Sequence, residues 1–220
     1  MIAEPVIGDP VVTWATSDGR EHGGAVVVPA ASTIKIVVAS AFWRSGLDPA
    51  ERVDVPVVPW SVADALAGPV TLGDCALLML AFSDNAATNV LLERLGFEAV
   101  NAEGARLGCV HTQISRLMMS DGPQNLTSAR DLATAMAAID EPRILDALAR
   151  AHDSELPLRL RDRHVLVKTG ELGELAYNEV ALVDGRLAVA VCSAPAALPH
   201  QVAGVAERLV RGEDPAPASI

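Results

Sequence analysis

The sequence contains few aromatic and few basic residues, and each shortage excludes a class of partner. Three Phe, three Trp and one Tyr are too few for a surface that stacks on nucleic-acid bases. The 17 basic residues are outnumbered by 28 acidic ones, and the net charge of −11 disfavours binding to nucleic acid or to an anionic membrane. Hydrophobic residues make up 50% of the chain and are mostly Ala, Val and Leu, which predicts an aliphatic core.

The chain also has few cysteines and no long apolar run. Cys75, Cys109 and Cys192 lack C-x-x-C spacing, so we expect three small buried thiols, with no disulfide framework and no metal site. No window reaches the roughly 18 uninterrupted apolar residues that a membrane helix needs. The start, "MIAEPVIGDPVV", lacks the basic and continuous apolar regions of a signal peptide. We therefore expect a cytoplasmic protein, or a secreted or periplasmic one if a leader has been trimmed.

Strand patterns lie towards the two ends of the chain. Near the N-terminus, "VVTWAT" and "AVVVPA" flank "SDGREHGG" and predict a strand, a turn and a second strand. Towards the C-terminus, "HVLVKTG" predicts another strand, and the apolar runs on either side of Asp184-Gly185 predict a hairpin. The N-terminal strands need partners that the C-terminal ones can supply, which predicts one antiparallel sheet of about five strands.

The region between these strands has helical periodicity. Helices are predicted from Ser32 to about Arg44, over "WSVADALAG", after Thr71, from Asn85 to Gly96, and over "FEAVNAEGARLG", "LTSARDLATAMAAI", "PRILDALARAHD" and "PHQVAGVAERLVRG". We therefore predict an α+β fold, an α/β sandwich in which helices flank the sheet and an all-helical subdomain is inserted. The predicted α/β part is 1–31 with 160–220, the helical part is 32–159, and the two form one unit with the active site in the cleft between them.

Ser32 and Lys35 stand at the start of the first long helix, in the stretch "ASTIK". Side chains three residues apart lie side by side on a helix, so the lysine amine can reach the serine hydroxyl. A helix N-terminus favours developing negative charge, and a lysine made neutral by burial could remove the serine proton. By itself the pattern is also common by chance, as a serine N-cap followed by a lysine with a buried stem.

A second pattern, Ser83-Asp84-Asn85, falls between two predicted helices. On a continuous helix, residues two apart point to nearly opposite sides and cannot face one target. In a turn, however, Ser83 and Asn85 could both face a cleft while Asp84 fixes the turn through backbone hydrogen bonds. The triplet alone is also typical of an ordinary cap between helices.

A third pattern, Lys168-Thr169-Gly170, ends the "HVLV" strand. It offers an ammonium, a hydroxyl and a backbone that a ligand can approach closely. The backbone N–H of Glu171 could join that of Ser32 in an oxyanion hole. In isolation this pattern is equally that of a strand end with a solvated lysine.

The three patterns S-x-x-K, S-D-N and K-T-G occur in the order found in class A β-lactamases and penicillin-binding proteins. The chain resembles the class A β-lactamase branch of the serine penicillin-recognising superfamily, from "VVTWATSDG" through "TLGDCALLMLAFSDNAATNVLLERLG" and "LTSARDLA" to the last helix. The resemblance implies the β-lactamase/transpeptidase-like fold and a monomer that needs no cofactor. It also implies a serine hydrolase that opens β-lactam amides through an acyl-enzyme.

The resemblance further implies a role for each motif residue. Ser32 would be the acylated nucleophile, Lys35 its base or proton shuttle, and Ser83 the relay that protonates the leaving nitrogen. The charge of Lys168 would favour a neutral Lys35. The residues that would bind the substrate amide carbonyl and the substrate carboxylate are Asn85, Lys168, Thr169 and Gly170.

One part of the family pattern is missing. Class A enzymes carry an E-x-x-L-N segment before the next long helix, and its glutamate activates the water that frees the acyl-enzyme. The corresponding stretch, "CVHTQISRLMMSDGPQNLTSARD", contains no glutamate, and Asp121 is its only carboxylate before Asp131. Glu171 and Glu174 follow K-T-G and could reach the cleft rim. We therefore expect β-lactams to acylate Ser32 and to be released slowly.

Two other functions remain open from the sequence. One is a related acyl-enzyme catalyst, such as a D-Ala-D-Ala peptidase, an esterase or a biosynthetic acyltransferase, which the missing signal peptide and the missing glutamate both favour. The other is a binder or sensor that is acylated by a β-lactam and stays so. In each case the expected partner is a small molecule, namely a β-lactam, an acyl-D-Ala-like compound or an ester, that carries a carboxylate.

Overall fold

The computed structural model describes residues 10–63, 66 and 68–215. This part of the chain forms a 3-10 turn at Ala31–Ile34 and the following strands and helices. The strands are β1 (Val11–Thr16), β2 (Glu21–His22), β3 (Val28–Pro29), β4 (Arg52–Val53), β5 (Val70–Thr71), β6 (Leu126–Thr127), β7 (Val165–Glu171), β8 (Tyr177–Val183) and β9 (Leu187–Ala194). The helices are α1 (Lys35–Arg44), α2 (Leu72–Ala81), α3 (Asn85–Leu95), α4 (Phe97–Arg106), α5 (Ala129–Ala138), α6 (Pro142–Leu148), α7 (Leu156–Arg159) and α8 (Pro199–Val210).

Five of these strands form one antiparallel sheet in the order β2-β1-β9-β8-β7. The predicted α+β class and the five-stranded sheet are confirmed. The β8–β9 hairpin turns at Asp184 and Gly185, whose φ angles are 53° and 64°. A two-residue turn that matches strand twist needs left-handed backbone at both positions, which Asp and Gly tolerate. The β7 strand lies at an edge of the sheet, next to the 3-10 turn.

The second N-terminal strand is not where the sequence predicts it. Of "AVVVPA", only Val28–Pro29 forms a strand, and it pairs with β6 outside the five-stranded sheet. The strand next to β1 is β2 instead. The chain turns at Gly23, whose carbonyl accepts the N–H of Val26 at 2.8 Å, before the apolar run begins. Pro29 then has no N–H for a longer ladder.

Helix α1 runs through the larger hydrophobic core, and every residue from Lys35 to Phe42 is buried. A helix that is buried on all sides needs apolar residues all round, which is the composition of "IVVASAF". This core includes residues of the sheet as well as of the helices, and a second core lies under α8. The division into 1–31 with 160–220 and 32–159 stays a prediction.

Capping side chains decide where the helices next to the site begin. Thr71 accepts the N–H of Asp74 at 3.0 Å, and the Asp74 carboxylate accepts the N–H of Thr71 at 2.9 Å, so the cap predicted at Thr71 is confirmed. Ser128 caps α5 through the N–H of Asp131. Gly96, with a φ of 78°, ends α3 as predicted.

Two further points concern the helices. The short helix predicted over "WSVADALAG", residues 60–68, includes residues 64, 65 and 67, which lie outside the described part of the chain. Among the helices of the described part, none is long and apolar enough to cross a membrane.

Candidate active site

Ser32 lies in the 3-10 turn, and Lys35 is the first residue of α1. Lys35 Nζ is 2.9 Å from Ser32 Oγ, so the three-residue spacing brings the two groups together. Ala31, immediately before Ser32, has a φ of 48°, which is rare for a residue with a side chain. The packing around the turn therefore holds the backbone that presents Ser32 in a strained conformation.

The Ser83-Asp84-Asn85 triplet is a turn between α2 and α3. Ser83 has a φ of 55°, and this left-handed residue breaks the helical course so that both neighbours of Asp84 face Lys35. Lys35 Nζ lies 2.6 Å from the Ser83 carbonyl oxygen, 3.2 Å from Ser83 Oγ and 2.9 Å from Asn85 Oδ1. The two motifs therefore meet at one buried nitrogen.

Asp84 points away from that nitrogen and fixes the turn. Its carboxylate accepts the N–H of Ala87, capping α3, and the hydroxyl of Ser61. It also accepts the N–H groups of Val62 and Ala63 at 2.6 and 2.9 Å. Burial alone would raise the pKa of Asp84, but these hydrogen bonds outweigh it and leave the pKa below its usual value.

The surroundings of Lys35 favour the neutral amine. Burial, and then the positive charge of Lys168, lower the pKa of Lys35 well below 10.5, and the carboxylates of Asp84 and Asp153 oppose this only partly. A neutral amine has two N–H groups and one lone pair. The Ser83 carbonyl and Asn85 Oδ1 can only accept, so they take the two N–H groups. The lone pair is then left for the Ser32 hydroxyl.

The orientation of Asn85 supports this count of hydrogen bonds. Its Nδ2 donates to the carbonyl of Pro59 at 3.2 Å. The amide oxygen must therefore face Lys35.

Strand β7 passes directly over the 3-10 turn at Gly170. A Cβ atom at this position would lie 2.8 Å from the backbone nitrogen of Ser32 and 2.9 Å from that of Thr33. Only glycine permits this approach, which brings the end of β7 and residue Glu171 next to Ser32. The side chain of Asn178, opposite Gly170 on β8, donates to the carbonyl of Pro29 at 2.8 Å and ties the sheet to the start of the turn.

Lys168 and Thr169 already have an anionic partner within the chain. Lys168 is fully buried, and its Nζ lies 3.4 Å from Asp153 Oδ2 and 2.7 Å from the Thr169 carbonyl. The Thr169 hydroxyl donates to the same oxygen of Asp153. Burial lowers the pKa of Lys168, and the negative charge of Asp153 opposes that shift. Asp153 lies in the loop before α7, fifteen residues from Lys168, and no sequence pattern pointed to it.

Two adjoining cavities open at Ser32. The larger, of about 560 Å³, is lined by Ser32, Ser83, Asn85, Asp153, Thr169 and Glu171, among others. The smaller, of about 270 Å³, also contains Ser32 and Asn85 and extends under the loop between α4 and α5. Of the motif residues that the sequence singled out, Ser32, Ser83, Asn85 and Thr169 therefore reach the cavity surface. Lys35 and Lys168 lie beneath it, fully buried.

Backbone strain and exposed apolar side chains concentrate around these cavities. Trp60 and Phe82 line the larger one although they are 85% and 60% exposed. Five described residues other than glycine have left-handed backbone; Ala31, Trp60, Ser83 and Met119 line one or both cavities, and Asp184 lies in the β8–β9 turn. Such conformations cost about 1–3 kcal/mol each and cluster at binding and catalytic sites.

The loop between α4 and α5, in which the family resemblance leads us to expect a glutamate, presents both polar and apolar side chains to the smaller cavity. Leu117, Met118 and Met119 line the smaller cavity next to Ser32. Asn89 holds the backbone of Met118 from both sides, accepting its N–H at 2.7 Å and donating to its carbonyl at 3.1 Å. Asn125 holds the same loop through the backbone of Ser115 and Arg116.

The three carboxylates considered from the sequence as deacylation bases differ in position. Glu171 lines both cavities, whereas Asp121 and Glu174 are exposed and line neither. The structure therefore brings Glu171 to the cleft and leaves the other two outside it.

Comparisons with known proteins identify the family and the fold. A model of the beta-lactamase enzyme family matches residues 11–209. An ancestral class A β-lactamase is 23% identical, with a TM-score of 0.80 over 94% of this chain and 95% of that one. The β-lactamase of Sphaerobacter thermophilus DSM 20745 is 25% identical, with a TM-score of 0.78 over 92% of this chain and 88% of that one. The class A β-lactamase of Mycobacterium abscessus is 20% identical, with a TM-score of 0.78 over 93% and 94%. A comparison with curated proteins found no match.

The fold is therefore that of the class A β-lactamases. The family match extends over most of the chain, and the chain belongs to the beta-lactamase enzyme family. It is a serine hydrolase of the class A β-lactamase-like type.

Proposed function

We propose that this protein attacks β-lactams, or carbonyl compounds of similar reactivity, with Ser32 and forms an acyl-enzyme. The observation that supports this most directly is the contact of Lys35 Nζ with Ser32 Oγ at 2.9 Å, at a buried amine whose pKa is lowered by burial and by the charge of Lys168. A neutral amine at that distance can take the proton of the hydroxyl as it attacks.

The acylation step follows from the same contacts. Ser32 Oγ bonds to the carbonyl carbon, and its proton passes to Lys35. When the C–N bond of the ring breaks, the leaving nitrogen takes a proton from Ser83 Oγ, and Lys35 restores that proton across 3.2 Å. The backbone N–H groups of Ser32 and Glu171 form the oxyanion hole, a role supported by the close approach of β7 to the turn at Gly170.

The substrate lies along β7 in the larger cavity. Asn85 contacts its amide carbonyl, as the family resemblance implies, while Thr169 lines the end of the cleft beyond the reacting carbonyl and Lys168 lies beneath it. The exposed rings of Trp60 and Phe82 border the opening and offer apolar contact to the acyl group.

Release of the acyl group is the slow half of the cycle. The loop that would supply a general base presents Leu117, Met118 and Met119 instead. Without a positioned base, attack of water on the ester loses roughly 10²–10⁴-fold in rate. Glu171, which lines both cavities, is the remaining candidate for residual turnover.

Intact-protein mass spectrometry after mixing with a penicillin tests both the acylation of Ser32 and the slow release of the acyl group. We expect one adduct with the full mass of the penicillin, located on Ser32, which persists for many minutes after excess compound is removed. Ser32→Ala should show no adduct. A wild-type protein left unlabelled by both the penicillin and its methyl ester would contradict acylation, and rapid steady turnover would contradict slow release.

A second candidate function is a β-lactam-binding protein without turnover. The loop between α4 and α5 favours it, because Leu117, Met118 and Met119 line the cavity next to Ser32 and the loop places no carboxylate there. Stoichiometric labelling with a fluorescent penicillin, followed over hours, separates it from a slow hydrolase. A panel of esters and D-Ala-D-Ala peptides tests the related peptidase, esterase and acyltransferase activities.

A further inference from the structure

Asp153 occupies the place where the family resemblance puts the carboxylate of a substrate. Its Oδ2 faces Lys168 Nζ at 3.4 Å and accepts the hydroxyl of Thr169. The two groups expected to bind a substrate carboxylate are thus engaged by a carboxylate of the chain itself. Asp153 also lines the larger cavity, and its side chain is 39% exposed, so an entering substrate meets it directly.

The segment that carries Asp153 is anchored on both sides. Ala151 is buried, and its N–H donates to the Leu148 carbonyl at 3.2 Å. On the other side, Ser154 Oγ donates to Glu179 Oε2 at 3.0 Å and accepts the N–H of Leu156 at 2.9 Å. The Asp153 carboxylate is therefore part of the cleft wall.

The wall of the larger cavity is negatively charged. Of the described residues that line it, Asp153 and Glu171 carry carboxylates and none is Lys, Arg or His. Lys168 lies beneath the surface and faces Asp153. A carboxylate entering here would meet two negative charges and a positive charge that is already paired. Juxtaposed like charges in a cleft strongly disfavour binding.

We propose that Asp153 is a specificity-determining residue that excludes acyl donors bearing a carboxylate at the Lys168–Thr169 end of the cleft and selects uncharged or cationic ones. This inference rests on the proposed acylation of Ser32. It replaces the carboxylate-bearing substrate expected from the sequence by a neutral or cationic β-lactam or carboxylic ester. A cationic end group would pair with Asp153, and a neutral ester would avoid the repulsion between two carboxylates.

Three forms of one penicillin test the proposal: the free acid, its methyl ester and an ester that carries a quaternary ammonium. The quantity to measure is the second-order rate constant for acylation of Ser32, by time-resolved mass spectrometry. Each value is divided by the rate constant of that compound with hydroxide, which removes differences in intrinsic reactivity. We expect both esters to react faster than the free acid by about tenfold or more in the wild-type protein.

Asp153→Asn keeps the shape of the side chain and removes its charge. We expect it to shift the acid-to-ester ratio of acylation rates towards the acid by about tenfold or more. The matched control is Asp162→Asn, which changes net charge equally at a side chain that is 72% exposed and does not line the cavity. That control should keep the wild-type ratio.

If the Asp153→Asn protein does not fold, the comparison of acid and ester acylation rates in the wild-type protein tests the role of Asp153 by itself. Faster acylation by the free acid in the wild-type protein would overturn the role of Asp153, and so would an unchanged ratio in a folded Asp153→Asn protein. Absence of any adduct with all three compounds would overturn the acylation of Ser32 itself, and this inference with it.

Discussion

A Cβ atom at position 170 would lie 2.8 Å from the backbone nitrogen of Ser32, closer than a carbon and an amide nitrogen pack. The clash is with backbone on three sides, because Thr33 N and Ala30 O would be 2.9 and 3.0 Å away. Gly170→Ala must therefore push β7 away from the turn. We expect acylation of Ser32 to slow at least about 100-fold, since misplacing an oxyanion donor costs that much. The folded protein should lose about 1–3 kcal/mol of stability.

Gly204→Ala is the matched control for this substitution. Gly204 lies inside α8, and an added Cβ would meet no atom within 4 Å. It should stabilise the protein by roughly 0.5–1 kcal/mol, because alanine is the better helix former. Acylation by a penicillin and chemical denaturation should be measured for both variants. Full acylation activity in Gly170→Ala would show that β7 does not form the oxyanion hole.

The pH dependence of acylation should reveal the neutral state of Lys35. Burial and the charge of Lys168 lower the pKa of Lys35 well below 10.5, so the amine is already neutral at pH 10.5 and at pH values well below it. The acylation rate should therefore be flat across the usual titration range of lysine. It should fall only at lower pH, as the amine gains a proton. The measurement is the rate of adduct formation across the stable pH range.

Lys35→Arg tests by substitution whether Lys35 is the general base for acylation. A guanidinium stays charged at every pH used and cannot accept the Ser32 proton. We expect acylation to drop by about 10²–10⁴-fold, the usual contribution of a general base. Thermal unfolding of the variant shows whether it is folded. A folded Lys35→Arg protein that is acylated at the wild-type rate would rule out Lys35 as the base.

Glu179 should make the protein less stable as the pH rises. Burial raises the pKa of Glu179 from 4.5 to about 7, and the hydrogen bond from Ser154 opposes this shift only in part. Its Oε1 has no partner among the described residues. Between pH 4.5 and 7 the folded state keeps the proton that the unfolded state has lost. The free energy of unfolding therefore falls through this range, by about 3 kcal/mol in total, and this group adds no further pH dependence above it.

Glu179→Gln removes that titration. The stability difference between Glu179→Gln and the wild-type protein should grow in favour of the variant from pH 4.5 to 7 and then level off. Denaturant unfolding at several pH values measures it. Glu174→Gln, which makes the same chemical change at an exposed side chain, is the control. A constant difference for Glu179→Gln would contradict the buried, protonated carboxyl.

A base placed in the loop between α4 and α5 should restore release of the acyl group. Met118 lines the cavity next to Ser32, and Asn89 fixes its backbone on both sides. Met118→Glu should therefore raise the rate of acyl-enzyme hydrolysis by at least about tenfold, part of the contribution of a positioned base. Loss of the penicillin adduct with time measures this rate. Met118→Gln has the same size without the base, and equal rates in the two variants would contradict the proposal.

Much of the fold could be predicted because its signals are local. Thr71 and Gly96 mark a helix start and a helix end through hydrogen bonds and backbone angles within a few residues. The Asp184-Gly185 hairpin depends on two φ angles that these residues adopt easily. "AVVVPA" was misassigned because Val26 and Val27 are exposed and only Val28–Pro29 pairs with another strand, a difference that composition does not record.

Part of the candidate site could also be predicted from the sequence, and part could not. The sequence order of S-x-x-K, S-D-N and K-T-G predicted that Ser32, Ser83 and Asn85 would meet, and they do, at Lys35 Nζ. The catalytic roles of these residues stay predictions. Asp153 was missed because it belongs to no motif and reaches Lys168 through the packing of an unrelated loop.

The sequence by itself determined the spacings, caps and turns, because these depend on neighbours within one helical turn or one hairpin. Three further properties of the site depend on the tertiary structure, because they arise between residues that are far apart in the chain. Burial, together with Lys168, lowers the pKa of Lys35; the approach of β7 requires glycine at 170; and Asp153 pairs with Lys168. Charge and desolvation act through space, so residues far apart in the chain, brought together only by folding, decide the charge of this cleft.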